Sequence, residues 1–123
     1  MSKQSLISIV DDDQAFRDSM RRLVKSLGYS GVVFASAAEF LASPRRAATD
    51  CLVADVHMPE MTGVELYRHL IGTGQEIPTI LVTAYPDDRV QERMLNEGVQ
   101  CYLHKPLEEA VLIDCLHSAV TRG

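Results

Sequence analysis

The chain lacks a basic balance, a paired-cysteine spacing and a long apolar run, and each absence removes a class of function. Lysine and arginine total 12 against 17 acidic residues, a net charge of −5. A domain that binds the nucleic-acid backbone wants a basic face, so direct nucleic-acid binding is not expected. Arg21-Arg22 and Arg45-Arg46 are too short to count as basic patches. The three cysteines, Cys51, Cys101 and Cys115, stand far apart with no Cys-x-x-Cys pair. Neither a disulfide framework nor a zinc site is therefore expected. Each lies in or beside apolar residues, which suits buried, reduced thiols. Residues 1–5 lack the apolar core of a signal peptide. No run approaches the ~18 apolar residues that span a bilayer. No membrane association is expected, and the chain reads as cytoplasmic.

Other absences are local. There is no GxxxxGK[ST] loop and no GxGxxG, which excludes the usual glycine-rich phosphate cradles. The acidic run Asp11-Asp12-Asp13 lacks the later glycine and glutamate of an EF-hand loop. His57, His69, His104 and His117 have no metal-ligand spacing and read as structural or exposed. No repeat, linker or low-complexity segment interrupts the chain.

What is present fits one globular domain. The length of 123 residues gives a single unit, 1–123. Folding such a chain buries roughly two thirds of its extended surface, enough for a real core. A 46% hydrophobic and 24% charged composition argues against disorder.

Short β-branched or apolar runs alternate with helical periods. Leu6-Ile7-Ser8-Ile9-Val10 reads as a strand ended by Asp11-Asp12-Asp13. A helix follows from Gln14 to the stop at Gly28, with Phe16, Met20, Leu23, Val24 and Leu27 on one face. One of the three acids should cap it, since negative charge suits a helix N-terminus. Residues 32–34 form a second strand. Ser36-Ala37-Ala38-Glu39 has capping-box spacing and opens a short helix closed by Ser43-Pro44. Residues 44–50 read as a loop. Residues 51–54 are apolar, the pattern of a strand buried on both faces, and end in Asp55. Pro59 prevents the run from continuing as a central strand.

Thr62-Gly63-Val64-Glu65 opens a third helix whose stripe is Leu66, Leu70 and Ile71. Residues 77–82 form a strand ending in Thr83-Ala84. Residues 87–96 are helical with Val90, Met94 and Leu95 inward, and Gly98 lies just past the end. Residues 99–103 form the last strand, ended by His104-Lys105-Pro106. A final helix over 108–120 carries Val111, Leu112, Cys115, Leu116 and Ala119 at helical spacing. Five such alternations imply an α/β fold, a parallel sheet with helices on both faces.

Parallel strands share their carboxyl ends, and ligands bind at that edge in open α/β sheets. Four strands here end in Asp11-Asp12, Asp55, Thr83 and Lys105. Clustered carboxylates with a hydroxyl suit a hard divalent cation such as magnesium, which takes oxygen ligands. With the acids neutralised, Asp55 is a candidate nucleophile that could form an aspartyl phosphate. Lys105 and Thr83 could hold phosphoryl oxygens, and phosphoryl transfer needs little more than positioning and charge stabilisation. Taken singly, Lys105 reads as a surface lysine, Thr83 as a strand-end cap and Tyr102 as packing. The set is what carries the reading.

Val10-Asp11-Asp12, Asp55 with Met58-Pro59 and Gly63, Thr83-Ala84 and Lys105-Pro106 resemble the receiver domains of two-component response regulators. The resemblance covers 6–120. Gly28-Tyr29, Phe34 and Ser36-Ala37 resemble the FixJ-like branch. The resemblance implies a flavodoxin-like doubly wound fold with strand order 2-1-3-4-5 and phosphorylation of Asp55 by a sensor histidine kinase. It implies magnesium held by Asp12, Asp55 and the backbone carbonyl of His57, with Asp11 acting through water. Thr83 and Lys105 would contact the phosphoryl group, Tyr102 would be the aromatic switch, and the Lys105–Pro106 bond would be cis.

Two further positions follow from the same reading. His57 and Tyr85, two residues after Asp55 and Thr83, should gate water at the phosphoryl group. Output is expected through the fourth helix, fifth strand and last helix, by homodimerisation or by docking an effector domain or partner. Arg89, Glu92, Arg93, Glu108 and Glu109 are candidate rim charges. No output domain lies within the 123 residues. The FixJ-like markers favour an effector beyond Gly123, because many such regulators carry a DNA-binding domain. An aspartate-nucleophile phosphohydrolase is the competing reading; such enzymes usually carry a second acid two residues on, where this chain has His57. A phosphate-independent interaction module is a third, against which all five site positions argue.

Overall fold

Strands and α-helices alternate in the computed structural model, which describes residues 4–121. The order is β1 (Leu6–Val10), α1 (Gln14–Ser26), β2 (Ser30–Phe34), α2 (Ala37–Ala42), β3 (Cys51–Asp55), α3 (Gly63–Gly72), β4 (Thr79–Thr83), α4 (Asp88–Glu97), β5 (Cys101–His104) and α5 (Glu109–Thr121). The expectations placed on residues 1–3 and on the end of the chain at Gly123 lie outside the described residues.

All strands are parallel, in the order β2-β1-β3-β4-β5. This is the doubly wound arrangement expected, with β3 at the centre. Every residue of β1, β3 and β4 is buried, as strands covered on both faces require. Side chains alternate between two apolar layers. Ile7, Ile9, Cys51, Val53, Ile80 and Val82 pack with Met20 and Val24 of α1 and Leu112 and Leu116 of α5. Val10, Leu52, Ala54 and Leu81 pack on the other face with Phe40 of α2, Leu66 and Leu70 of α3 and Met94 of α4. Phe40 is fully buried, its ring edge-on to Phe34 at 5.4 Å between centroids. Truncating such a side chain to alanine costs about 3–5 kcal/mol.

The helix starts follow the sequence chemistry. Asp13 caps α1 by accepting from the Ala15 N–H at 3.0 Å. Ser36 and Asp87 cap α2 and α4. Thr62 and Glu65 form a complete capping box on α3, at 3.1 and 2.9 Å. Gly98 ends α4 at a φ of 115°, where a Cβ would also meet the Tyr67 hydroxyl.

Several expectations are corrected. β2 begins at Ser30, two residues before the apolar run, because Ser30 and Gly31 pair with Leu6 and Ile7. β4 begins at Thr79, not Ile77: Pro78 has no N–H to give and enters the sheet only through its carbonyl, which accepts from Leu52. β5 covers Cys101–His104, two residues later than its apolar run at the start. The stretch read as a loop after α2 holds a 3₁₀ helix, Pro44–Ala48, started by Ser43 Oγ accepting from Arg45. Ile71, Leu95 and Val111 are exposed, at the flanks of their apolar stripes. Cys51 is the buried, free thiol expected, but Cys101 and Cys115 are joined as a disulfide. Their Cα atoms lie 6.4 Å apart because α5 packs back across β5, a proximity that linear spacing does not reveal. No described helix is long and apolar enough to cross a membrane.

Candidate functional site

The carboxyl edge of the sheet gathers Asp11, Asp12 and Asp55, with a carboxylate oxygen of each within 4.8 Å of the others. Asp11 follows β1 directly and is fully buried; Asp55 ends β3 and is nearly so; Asp12 faces solvent. The adjacent register of β1 and β3, which pairs Val10 with Ala54, is what brings residues 44 positions apart together. Oxygen donors in this number and closeness suit a hard cation such as magnesium.

Lys105, at the end of β5, answers the acids. Its Nζ lies 2.8 Å from Asp11 Oδ2 and 3.4 Å from Asp55 Oδ2. The other oxygen of Asp11 accepts from the Asp13 N–H at 2.9 Å, and Asp55 Oδ1 accepts from the His57 N–H at 3.2 Å. Burial pushes the Asp11 carboxyl above the usual carboxylate range, aided by the Asp55 charge. The hydrogen bonds from Lys105 and Asp13 offset only part of this. Burial alone would lower the Lys105 ammonium, but its bond to Asp11 and the two negative charges outweigh it and raise its pKa.

Two side chains of the first turn of α1 complete this edge. The ring of Phe16 lies under Lys105 Nζ, 4.2 Å from ammonium to centroid, a contact attractive through the ring's negative face. Arg17 Nη1 donates to the Asp11 carbonyl at 2.8 Å. The sequence reading assigned neither. The available signal was positional: a helix that starts right after β1 must lay its first turn along the same sheet edge.

Thr83 ends β4, fully buried, and its hydroxyl accepts from the Tyr85 N–H at 3.0 Å. The Lys105 N–H donates to the Thr83 carbonyl at 2.7 Å, tying the two loops together. Tyr102 is buried, its ring edge-on to His104. It pairs with Leu81 and so lies diagonal to Thr83 on the same face of the sheet. His57 and Tyr85 are exposed, Tyr85 at 72%, and their rings meet edge-on at 5.4 Å. The Lys105–Pro106 bond is cis, as expected.

Behind Asp55, the loop to α3 doubles back closely. Met61 N–H returns to the Pro59 carbonyl at 2.8 Å across Glu60, whose φ is 70°. Gly63 then lies against the backbone of Asp55, and a Cβ there would collide with the Asp55 carbonyl oxygen. Only glycine permits this approach.

Comparison with known proteins follows this geometry. The family model described as response regulator receiver domain matches residues 7–117. The response regulator TodT of Pseudomonas putida is 35% identical over 118 residues, covering 96% of this chain and 52% of TodT. The transcriptional regulatory protein FixJ of Bradyrhizobium diazoefficiens is 30% identical over 123 residues, covering all of this chain and 60% of FixJ. The crystal structure of FixJ-N superposes with a TM-score of 0.86 at 30% identity, covering 99% of this chain and 98% of that one. The chain spans about half the length of the curated relatives it matches.

Proposed function

The chain belongs to the response regulator receiver domain family, of two-component signalling, and on that footing we propose that it is a phosphorylation switch whose phosphoacceptor is Asp55. The observation that carries this is the meeting of three carboxylates and the Lys105 ammonium at one sheet edge. We read residues 1–123 as one receiver unit, not as an enzyme acting on a separate substrate; its chemistry is its own phosphotransfer and dephosphorylation.

Asp12, Asp55 and the His57 backbone carbonyl would hold magnesium, with Asp11 contributing through water. Bound there, such a cation would supply the positive charge that lets a phosphoryl group approach the acids. Asp55 supplies the attacking oxygen. As its bond to phosphorus forms, the bond from phosphorus to the histidine nitrogen of the kinase breaks, and the imidazole leaves. Lys105 is bound more loosely to Asp55 than to Asp11, so it can turn to a phosphoryl oxygen without abandoning Asp11. Thr83 gives up the Tyr85 N–H and donates its hydroxyl to the phosphoryl group.

The phosphoryl group carries close to two negative charges. Thr83 moves toward it, and Tyr102, its diagonal neighbour, follows the space that opens. A groove of about 310 Å³ lies beside Tyr102, between Gln91 of α4 and Val111 of α5. Arg89, Glu92, Arg93, Glu108 and Glu109 are all exposed around this face. Phosphorylation therefore biases a packed pair with two arrangements, and the face docks a second copy, an effector domain or a partner protein. The phosphodonor is a sensor histidine kinase. Control of transcription is the output we assign, since FixJ is a transcriptional regulatory protein.

Incubation with magnesium and acetyl phosphate should add one phosphoryl mass to the wild-type chain and none to Asp55→Asn. Undiminished labelling of that variant would falsify the assignment.

A further inference from the structure

The three cysteines divide into two kinds. Cys51, in the central strand, is fully buried, and burial together with the Asp50 charge pushes its thiol up to about 12. Such a thiol is neither reached nor ionised, so it is inert. Cys101 and Cys115 form a disulfide across 14 residues. Cys115 is buried, at 8% exposure, while Cys101 is half-buried and open to small reagents.

We propose that Cys101 and Cys115 are a reversible, redox-active pair that fastens α5 to β5 when oxidised by a low-molecular-weight disulfide. Three features carry this. First, the fold does not depend on the bond. Leu112, Leu116 and Ala119 bury α5 against the sheet on their own, and both apolar layers are complete without a cross-link. Disulfides that small domains need for folding compensate for a missing core, and none is missing here. Second, the bond joins an edge strand to the helix that follows it. β5 is an edge strand paired only with β4, and α5 is the last helix described. Third, Cys101 adjoins Tyr102 and lies four residues before Lys105. A cross-link there restrains the strand that carries both.

The chemistry is thiol–disulfide exchange. The Cys101 thiolate attacks one sulfur of the small disulfide, forming a mixed disulfide and releasing one thiol. The Cys115 thiolate then attacks Cys101 Sγ, closing the protein disulfide and releasing the second. Two cysteine thiols are oxidised and one small disulfide is reduced to two thiols, which take up the two protons. Excess small thiol reverses each step.

The full chain is equilibrated in oxidised and reduced glutathione over a wide range of ratios, quenched by alkylation and weighed. Cys101 and Cys115 should lose labelling together, with one midpoint, while Cys51 is labelled only after denaturation. Amides over 101–121 should exchange several-fold more slowly in the oxidised form. Closing a loop of this length should raise its melting temperature by roughly 10 °C. Cys115→Ala should stop at the mixed disulfide on Cys101 and Cys101→Ser should form no bond to Cys115, neither gaining the slowed exchange, and Cys51→Ala should keep the full response. A pair that stays reduced throughout, a mixed disulfide on Cys101 that Cys115 never resolves, or equal exchange in both forms would overturn the proposal. So would a bond that glutathione can reduce only after the chain unfolds.

Discussion

Lys105 and Asp11, 94 residues apart in the chain, share a 2.8 Å ion pair at the edge of the sheet. Asp11 is fully buried and would otherwise hold an unpaired charge beside Asp55. The lysine thus serves the folded chain before any phosphoryl group arrives. Its removal should be felt in stability as well as in chemistry. We predict that Lys105→Met lowers the unfolding free energy at pH 7 by about 1–3 kcal/mol, the usual cost of leaving a buried polar group unpaired. Added magnesium should recover part of the loss. The pH dependence has a definite sign. The raised pKa of Lys105 means that its contribution is fully present below the ordinary lysine value of 10.5 and disappears as pH climbs through the folded value. Denaturant titrations of wild type and variant should therefore differ by a constant amount from neutral pH to about 10 and converge above it. A gap that widens with alkalinity would contradict the pairing.

The neighbouring acids should separate cleanly by role. Asp13 caps α1 through the Ala15 N–H, so Asp13→Ala should cost about 1 kcal/mol of stability and leave magnesium affinity nearly unchanged. Asp12→Ala should do the reverse, weakening the metal at least tenfold in calorimetric titration. Burial raises the Asp11 pKa above the ordinary carboxylate value, so below that raised value magnesium competes with a proton there. Affinity should rise with pH through the raised Asp11 value and then level off. Equal losses in the two variants would assign the acids wrongly.

His57 and Tyr85 make one edge-on pair at the mouth of the site. Neither is a carboxylate able to position an attacking water, so the aspartyl phosphate should decay slowly to moderately. Tyr85→Ala removes one half of the pair and should change the decay rate several-fold, the sensitivity expected when in-line approach is controlled by position. Decay that is indifferent to both Tyr85→Ala and His57→Ala would show that the pair does not gate water.

Thr83 and Tyr102 are diagonal neighbours on one face of the sheet, and the hydroxyl of Thr83 is engaged by the Tyr85 N–H. Thr83→Ala should leave phosphorylation measurable yet uncouple it from the α4–β5–α5 face. Sedimentation with and without acetyl phosphate should reveal association in the wild type and none in Thr83→Ala. An unchanged mass for the wild type, with unchanged amide exchange over 89–120, would remove both the docking face and the switch.

What was legible in the sequence was what local chemistry decides. A buried run ending in Asp55, an acid at the start of α1, and Thr62 with Glu65 each announce themselves within a few residues. Parallel topology then aligns the strand ends, so Asp11, Asp12, Asp55 and Lys105 could be assembled on paper. The misses are those that depend on packing between distant elements. Only the start of α1 right after β1 hints at where Phe16 will lie, and no local pattern names its contact with Lys105. Cys101 and Cys115 meet only because α5 returns across β5. Leu95 and Val111 fall beside the buried stripe rather than on it, a difference of one helical position that periodicity alone blurs. Ser30 and Gly31 join β2 by pairing with β1, although neither favours a strand on its own.

The site draws one residue or more from each of β1, β3, β4 and β5, and Lys105 comes from the last of these. A chain leaving the ribosome meets its acids early: Asp11 and Asp12 emerge first, Asp55 midway. Their counter-ion is translated near the end. Because parallel strands cannot pair until the intervening helix has been made, a nascent chain has Asp55, the proposed nucleophile, long before it has the Lys105 that pairs with it. On the function proposed above, receptiveness to signal is acquired in a single late event, and a chain terminated before residue 105 would carry Asp55, the proposed acceptor, without the ammonium that completes its site.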